Sequence, residues 1–204
     1  MTPHDPAIYH ITHVDNLPGI VAEGGLWCDA QRLARSIENR NIGHLHIKKR
    51  RLSSPVKTSG GGNLGDYVPF NFCARSVMLF AVSKRHQDYD GTQEGILHLV
   101  SSVSTATKLG RGWAFTDRHA ELGHALHFND LDQLGEVPWT VMNEKYWTGV
   151  KEERQAEFLV YEFFPWTAIT KIGTMTPAAE AKTIQALAKS THKPMIAIER
   201  DWYY

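Results

Sequence analysis

The sequence predicts a single α+β domain with a mainly antiparallel sheet, and three observations lead to this fold class. First, 204 residues, 42% of them hydrophobic, suffice for one domain with a complete core. Second, short segments rich in β-branched and aromatic residues recur along the chain, as strands do. Third, the helices between them are few and short. Because we find no internal repeat, we take residues 1–204 as one domain.

The chain opens with a predicted strand and a short helix. Residues 7–13 (AIYHITH) have the β-branched and aromatic content of a strand. Asp15 or Asn16 is expected to cap the helix, whose apolar residues follow at helical spacing. Gly24 is expected to end it.

Residues 37–65 are expected to be irregular. The segment carries many charges and a run of glycines at 60–62, and it has too few apolar residues for a core element. A long irregular segment in a small domain is either functional or disordered. We interpret its first half as functional because a basic run at 48–51 lies there.

Further strands and helices are predicted in the rest of the chain. A strand at 67–72 should lie at a sheet edge or a bulge, because Pro69 cannot donate a ladder hydrogen bond. Continuous apolar residues favour a buried helix over 76–85. The remaining predicted elements are strands at 96–100, 113–115, 157–161, 169–172 and 195–198 and helices at 101–108 and 177–189.

Charge and cysteine content limit the possible partners and compartment. The 22 basic and 22 acidic residues leave no formal net charge, so any nucleic-acid binding must use a local patch. Cys28 and Cys73 lie outside any CxxC spacing and are too few to staple a secreted fold, which indicates structural thiols in a reducing compartment. No apolar run reaches the length of a membrane span. We therefore expect a cytoplasmic protein that makes no membrane contact.

Four segments, taken in order, resemble the DarT family of bacterial toxin–antitoxin systems. They are YHITHVDNL at 9–17, GGLW at 24–27, YVPFNFC at 67–73 and RQAEFLV at 154–160. Each segment alone is a weak signal. Four of them in the right order and at plausible spacing make the resemblance specific over about 9–161.

The resemblance implies a fold, a reaction and a partner. The implied fold is ADP-ribosyltransferase-like, with a split, mainly antiparallel sheet around an NAD cleft and peripheral helices. The implied reaction is an NAD-dependent pentosyl transfer, in which ADP-ribose moves from NAD to N3 of a thymine base in single-stranded DNA. The family also implies an antitoxin partner, DarG, and we expect the chain itself to be a monomer.

The first strand and the residues after it are predicted to hold NAD. His10 is placed to donate a hydrogen bond to a ribose hydroxyl or to the carboxamide, while the backbone of Ile11 and Thr12 holds the nicotinamide amide. The resemblance assigns the same segment to the nicotinamide ribose, and we assign Trp27 to the cofactor site as well. Gly19 either allows close approach of the cofactor or is simply tolerated in its helix.

Lys48, Lys49, Arg50 and Arg51 form the one dense basic run of the sequence. Such runs are usually solvated, but this one lies in an otherwise unexplained segment, and both inferred substrates are polyanions. Arg51, beside the apolar Leu52, is expected to point inward. The resemblance supports Arg51 as an NAD contact and catalytic helper. Lys48, Lys49 and Arg50 are predicted to steer DNA phosphates.

Glu157 is the predicted catalytic carboxylate. It begins an apolar strand, and a rigid strand positions a catalytic group better than a loop does. Loss of nicotinamide builds positive charge on the ribose, which a fixed carboxylate stabilises. Glu152 and Glu153 lie in a charged lead-in and are expected to be solvated. Either Glu157 or Arg51 is expected to assist removal of the thymine proton.

The DNA that accepts ADP-ribose is predicted to bind the segment from residue 119 to residue 154. This stretch supplies aromatic residues and cations, the residue types that bind an unstacked base. His119 and Arg154 are the predicted DNA contacts within it.

Three other interpretations of the sequence are open. In the first, the enzyme modifies RNA or protein rather than DNA. In the second, the chain is a non-catalytic module that binds single-stranded nucleic acid. A third interpretation makes His44 with His46, or His124 with His127, a metal site. Because their spacing fits no defined zinc pattern and no neighbouring cysteine or carboxylate completes a site, we expect no metal.

Overall fold

A computed structural model describes residues 2–142, 144 and 146–204. The strands are β1 (Ala7–His13), β2 (Gly25–Trp27), β3 (Tyr67–Asn71), β4 (Ile96–Ser102), β5 (Trp113–Thr116), β6 (His127–Phe128), β7 (Glu157–Tyr161), β8 (Phe163–Pro165), β9 (Lys171–Thr174) and β10 (Met195–Ile198). The helices are α1 (Leu17–Ala22), α2 (Asp29–Ala34), α3 (Leu45–Arg51), α4 (Val77–Ser83), α5 (Val103–Thr107), α6 (Trp139–Met142) and α7 (Pro177–Ala186).

An eight-stranded sheet dominates the fold, in the order β10-β9-β4-β1-β3-β7-β5-β6, and β2 pairs with β8 beside it. Within the described part of the chain, only β9 and β10 run parallel, and the other ladders are antiparallel. The predicted α+β fold with a mainly antiparallel sheet is therefore confirmed.

The large sheet is split between β1 and β3. β1 pairs with β4 along seven residues and β3 pairs with β7 along five, but β1 and β3 share a single pair, Tyr9 with Asn71. Pro69 lies in β3, and its carbonyl oxygen accepts a hydrogen bond from the His10 ring rather than from a β1 backbone N–H. β3 is thus interior in strand order but behaves as an edge towards β1, as its proline predicts. Beyond Tyr9 the two halves form no further ladder pair among the described residues, and we call this stretch the gap in the sheet.

Aromatic and branched side chains from both halves of the sheet form the main core. Phe70, Phe115, Phe158 and Phe164 are fully buried in it. Truncating one such phenylalanine to alanine costs about 3–5 kcal/mol in comparable cores. Because Phe158 directly follows Glu157, the core holds the start of β7 rigidly in place.

Two predictions about local structure are wrong. The basic run is not irregular but forms α3, which has no fully buried residue and therefore lacks the apolar periodicity that would predict it. Lysine and arginine are good helix formers, and their charges favour the end of a helix, where they lie here. Asn16 sits at the N-cap of α1 but makes no capping hydrogen bond, because its amide binds the Arg40 backbone instead.

Other boundaries follow the sequence closely. Gly24 ends α1 with a φ of +76°, the left-handed conformation that favours glycine. Ser76 caps α4 through its hydroxyl, which accepts from the backbone of Leu79 at 3.2 Å. The last helix ends three residues earlier than predicted, at Ala186, and β9 begins two residues later, at Lys171.

Both cysteines are free thiols in the interior. Cys28 caps α2, because its sulfur accepts from the backbone N–H of Gln31 at 3.4 Å. Burial raises the pKa of Cys73 to about 11, so this thiol is protonated at neutral pH. Among the residues described, no helix has the length and apolar character needed to cross a bilayer.

His98 predicts a loss of stability on acidification. It is fully buried in β4, with its two ring nitrogens 2.9 Å from the Ala74 carbonyl oxygen and 3.1 Å from the Tyr203 hydroxyl, and burial lowers its pKa from 6.5 to about 4. Below the unfolded pKa the unfolded chain binds a proton that the folded chain does not. The free energy of unfolding therefore decreases as the pH is lowered, and His98 accounts for a decrease of about 2 kcal/mol from about pH 7 to pH 5. Urea unfolding at both pH values should show that the free energy of unfolding depends less on pH for His98→Gln than for the wild type. An equal dependence would show that His98 is not the cause.

Candidate active site

Arg51 and Glu157, 106 positions apart in the sequence, form a paired salt bridge. Arg51 ends α3 and Glu157 begins β7. Each guanidinium nitrogen donates to one carboxylate oxygen, with Nη1–Oε1 and Nη2–Oε2 distances of 2.9 Å. The two side chains are 12% and 8% exposed. The structure therefore brings together the two residues predicted to be catalytic, in the bidentate geometry that fixes a carboxylate most firmly.

The salt bridge keeps Glu157 ionised. Burial opposes the charge on the carboxylate, but attraction to Arg51 outweighs burial, so the pKa of Glu157 is lowered. The pKa of Arg51 is raised by the same partner against its own burial. At neutral pH the site thus presents a fixed negative charge. Arg51 has no lone pair to accept a proton, so Glu157 is the only base of the pair.

Backbone neighbours on both sides hold Glu157 in place. It pairs with Asn71 across β3, and Asn71 pairs with Tyr9 across β1, so Glu157 lies in line with the one residue pair that joins the two halves of the sheet. On its other side, the Glu157 backbone N–H donates to the Thr116 hydroxyl at 3.1 Å. The Thr116 hydroxyl in turn donates to the Arg118 carbonyl oxygen at 2.7 Å, and Thr116 is fully buried. Thr116 was not predicted, because a lone threonine at the end of a strand carries no signal in the sequence.

His10 directly follows Tyr9 and lies at the gap in the sheet, but its hydrogen-bonding role differs from the predicted one. Its Nδ1 is 2.8 Å from the Pro69 carbonyl oxygen, which only accepts, so Nδ1 carries the proton. Burial lowers the pKa of His10, so the ring is neutral. Nε2 is therefore an acceptor, and the prediction that this histidine donates to a ligand is corrected.

Ile11 and Thr12 lie beyond the single β1–β3 pair. Their backbone pairs with β4 on one side only. Both side chains are buried, and the Thr12 hydroxyl accepts from the amide of Asn16 at 3.1 Å. The edge of β1 that faces β3 is therefore unpaired in this stretch.

Gly19 and Trp27 are less closely tied to this centre. Gly19 is exposed, and a Cβ built on it would meet nothing within 4 Å. The Trp27 ring lies against Phe163, with ring centroids 4.4 Å apart, and the Arg35 guanidinium lies 3.8 Å from its centroid. In the described residues we find no contact between either position and Glu157.

Lys48 and Lys49 both line a cavity next to α3, whereas Arg50 faces outward. The cavity has a volume of about 280 Å³ and lies between α2 and α3, with Lys48 in its wall. Lys48 Nζ lies 3.5 Å from a carboxylate oxygen of Asp29, and burial lowers the pKa of Lys48. Arg50 is exposed and donates at 3.0 Å to Glu121, and Lys49 is exposed.

The segment between β5 and β6 lies against this centre and carries His119. The half-buried His119 lies three residues after Thr116, whose hydroxyl accepts from the Glu157 backbone, and the His119 backbone N–H donates to the Glu152 carbonyl oxygen. Lys57 holds the same segment. Its ammonium group donates to the carbonyl oxygens of Leu122, Gly123 and Ala125 at 2.8–3.4 Å. Neither this bridge nor the Arg50–Glu121 pair is visible in local sequence patterns.

Arg154 lies inside the protein and not on its surface. It is 3% exposed, and its guanidinium donates to the carbonyl oxygens of Arg75 and Val141. A direct DNA contact needs an exposed guanidinium, so the predicted role of Arg154 is corrected to support of the chain just before Glu157. The physical reason is that three backbone hydrogen bonds satisfy its charge in the interior.

Comparisons with known proteins agree on one family. Residues 9–204 match the family described as "ssDNA thymidine ADP-ribosyltransferase, DarT". A "DNA ADP-ribosyl transferase" of Thermus sp. (strain 2.9) is 41% identical over 207 residues, which cover 99% of this chain and 98% of the relative. Two solved structures of Thermus sp. 2.9 DarT are similar to this one. The complex with ADP-ribosylated ssDNA has a TM-score of 0.95 at 40% identity, and covers 100% of this chain and 99% of that chain. The complex with NAD+ has a TM-score of 0.92 at 38% identity, and covers 100% of both chains.

The match spans nearly the whole chain in sequence, and the fold is the same throughout. The chain therefore belongs to the DarT family of single-stranded DNA thymidine ADP-ribosyltransferases.

Proposed function

We propose that this protein transfers ADP-ribose from NAD to N3 of a thymine base in single-stranded DNA. The observation that carries the proposal is the buried Arg51–Glu157 pair at the split of the sheet. In the reaction the bond between C1″ of the ribose and the nicotinamide nitrogen breaks, and its electron pair leaves with nicotinamide. A bond forms between C1″ and thymine N3, and the N3 proton is released. The step is thus a pentosyl transfer.

The nicotinamide end of NAD is proposed to bind in the gap beyond Tyr9. There the open edge of β1 offers backbone groups at Ile11 and Thr12, and His10 Nε2 accepts a hydrogen bond from a ribose hydroxyl. The cavity beside α3 suits the adenosine and phosphate end, because its wall includes the cations Arg32 and Lys48. Gly19 and Trp27 are proposed only as peripheral contacts.

Glu157 is proposed to stabilise the ribosyl cation. When nicotinamide leaves, positive charge develops on the ribose ring, and a preorganised, ionised carboxylate stabilises it more than it stabilises the neutral ground state. Arg51 occupies one lone pair on each carboxylate oxygen and the Ala120 backbone occupies a further one, so acceptor capacity for a ribose hydroxyl is left. Arg51 therefore orients the carboxylate and keeps it charged.

The thymine is proposed to approach from the segment that carries His119. His119 directly follows Arg118, whose carbonyl oxygen accepts from the Thr116 hydroxyl that holds the Glu157 backbone, and this supports a position near the reacting centre. The exposed Lys49 and Arg50 at the end of α3 are proposed to steer phosphates towards it. The N3 proton passes to Glu157 or to water, because Arg51 cannot accept it.

Thr116 is proposed as a positioning residue for Glu157. Its hydroxyl joins the Glu157 backbone to the Arg118 carbonyl oxygen, next to His119. We expect Thr116→Val to lower kcat about tenfold while KM for NAD changes little, because a buried N–H and a buried carbonyl lose their partner near the reacting centre. Thr116→Ser keeps the hydroxyl and should restore kcat. Steady-state kinetics of both variants checks this, and equal activity of the valine and serine variants would contradict it.

The proposed reaction is tested with NAD and short oligonucleotides. A single-stranded DNA that contains thymine should gain the mass of one ADP-ribosyl group and release one nicotinamide. The same strand without thymine, an RNA of equal sequence and a protein mixture are the comparison acceptors. If RNA or protein is labelled instead of DNA, the proposed acceptor is wrong. DNA binding without nicotinamide release would leave only a nucleic-acid-binding module.

Family membership also supports an antitoxin partner of the DarG type and action in the cytoplasm, where NAD and DNA are both present. We further propose that the chain acts as a monomer. Co-expression with and without such an antitoxin tests the first point, because only the unaccompanied enzyme should stop growth.

A further inference from the structure

Two histidines and one aspartate converge at the start of α3, away from the Arg51–Glu157 pair. His44 is the N-cap of α3, His46 lies in its first turn, and Asp88 lies in the connection from α4 to β4. One ligand atom from each lies within 4.8 Å of the other two. We propose that His44, His46 and Asp88 bind a divalent transition metal ion of the zinc type, which clamps the start of α3 to the α4–β4 connection.

The separation of the ligand atoms fits a single ion. His44 Nδ1 lies 3.3 Å from an Asp88 carboxylate oxygen. Zinc binds imidazole nitrogen and carboxylate oxygen at about 2.0–2.2 Å, so tetrahedral geometry separates neighbouring ligand atoms by about 3.3 Å. His46, which is exposed, completes a set of two imidazoles and one carboxylate and gives the ion access from solvent.

The environment of Asp88 favours a cation. Its side chain is only 15% exposed, and among the residues described His44 is its one side-chain partner. Carboxylates withdrawn from water are usually paired with a charge or bound to a metal. Asp88 is also the carboxylate that the sequence could not place, because it lies 44 positions from His44.

A third histidine holds two of the ligands in position. His86 Nε2 donates to the Ile42 carbonyl oxygen at 3.0 Å, and its Nδ1 accepts from the backbone N–H of Asp88 at 3.3 Å. The His86 ring also packs against the His44 ring, with centroids 4.2 Å apart. Both nitrogens of His86 are thus used by the protein. His86 acts as the outer support that metal-binding side chains commonly have.

Such an ion would act on structure and take no part in the transfer reaction. α3 is short and has no fully buried residue, so packing alone holds it weakly. The same helix ends at Arg51, and Lys48 lies in it between the proposed metal ligands and Arg51. Fixing its first turn would therefore limit the positions open to both side chains. The inference stands on the ligand geometry and is independent of the proposed function.

Cobalt titration of the full chain tests the site. After treatment with a chelator, Co2+ should bind with one-to-one stoichiometry, give the visible absorption of a nitrogen- and oxygen-ligated ion, and be displaced by Zn2+. His46→Gln and Asp88→Asn should each weaken binding at least about tenfold. His46 is exposed, so its substitution leaves the fold intact.

His124→Gln is the matched control. His124 lies 3.2 Å from a Glu152 carboxylate oxygen, a histidine–carboxylate pair like that of His44 and Asp88, but it lies outside the cluster of three. This variant should bind Co2+ like the wild type. Zn2+ should raise the midpoint of thermal unfolding of the wild type and of His124→Gln but not of His46→Gln. Equal affinity of the wild type and His46→Gln, or equal loss in His124→Gln, would overturn the proposal.

Discussion

Replacing Glu157 by glutamine is expected to reduce the rate of ADP-ribose transfer about 10²–10³-fold. Glutamine has nearly the same shape and can still accept one hydrogen bond from Arg51, but it carries no negative charge to stabilise the ribosyl cation. Transfer to a thymine-containing oligonucleotide measures the effect. Nicotinamide release without DNA separates loss of cleavage from loss of acceptor binding.

Glu153→Gln provides the control for this substitution. Glu153 lies four positions earlier and contacts Arg118 at 3.7 Å, with 32% of its side chain exposed. The substitution Glu153→Gln also removes one negative charge near Glu157, but it leaves the Arg51–Glu157 pair intact, so we expect nearly full activity. Far-ultraviolet circular dichroism should show both variants folded. A folded Glu157→Gln protein with wild-type transfer would remove the catalytic assignment.

Replacing Arg51 by methionine is expected to destabilise the protein by about 3–5 kcal/mol at neutral pH and to abolish transfer. The substitution leaves the Glu157 carboxylate buried without its partner. The double variant Arg51→Met/Glu157→Met removes both charges and should recover most of the lost stability. Urea unfolding of the wild type, the two single variants and the double variant measures this coupling. Additive effects would show that the pair contributes little.

The contribution of Glu157 to stability should change with pH in opposite directions in the wild type and in Arg51→Met. In the wild type the folded pKa of Glu157 lies below its ordinary 4.5, so the stabilisation is present above that value and is lost as the pH falls. Without Arg51, burial alone raises the folded pKa, so the carboxylate destabilises the protein more as the pH rises. The cost of Arg51→Met should therefore be smaller at about pH 5 than at about pH 7. A cost independent of pH would argue against an ionised, buried Glu157.

Local sequence patterns predicted most strands because those strands are made of β-branched and aromatic residues. The first strand, the Pro69 strand and the strand after Glu157 all lie where expected. The split of the sheet follows in part from Pro69, but the single Tyr9–Asn71 pair is a tertiary property. The short strands β2, β6 and β8 were not predicted, because segments of two or three residues carry no periodicity.

The active site was predictable only where resemblance supplied what composition could not. Nothing in the local pattern of Arg51 or Glu157 shows that they meet across 106 positions. Arg154 lies in a matched segment, and the sequence could not show that its charge is satisfied by interior carbonyl oxygens. Thr116 and Asp88 make contacts that only the fold creates, and these leave no mark on neighbouring residues in the sequence.

A crystal structure of the protein with carba-NAD, in which a methylene replaces the ring oxygen of the nicotinamide ribose, would show where the reacting ribose lies. We expect the nicotinamide amide on the open edge of β1 beside His10, and the ribose hydroxyls within hydrogen-bond distance of the Glu157 carboxylate. A dinucleotide bound elsewhere, or a ribose beyond the reach of Glu157, would contradict this expectation.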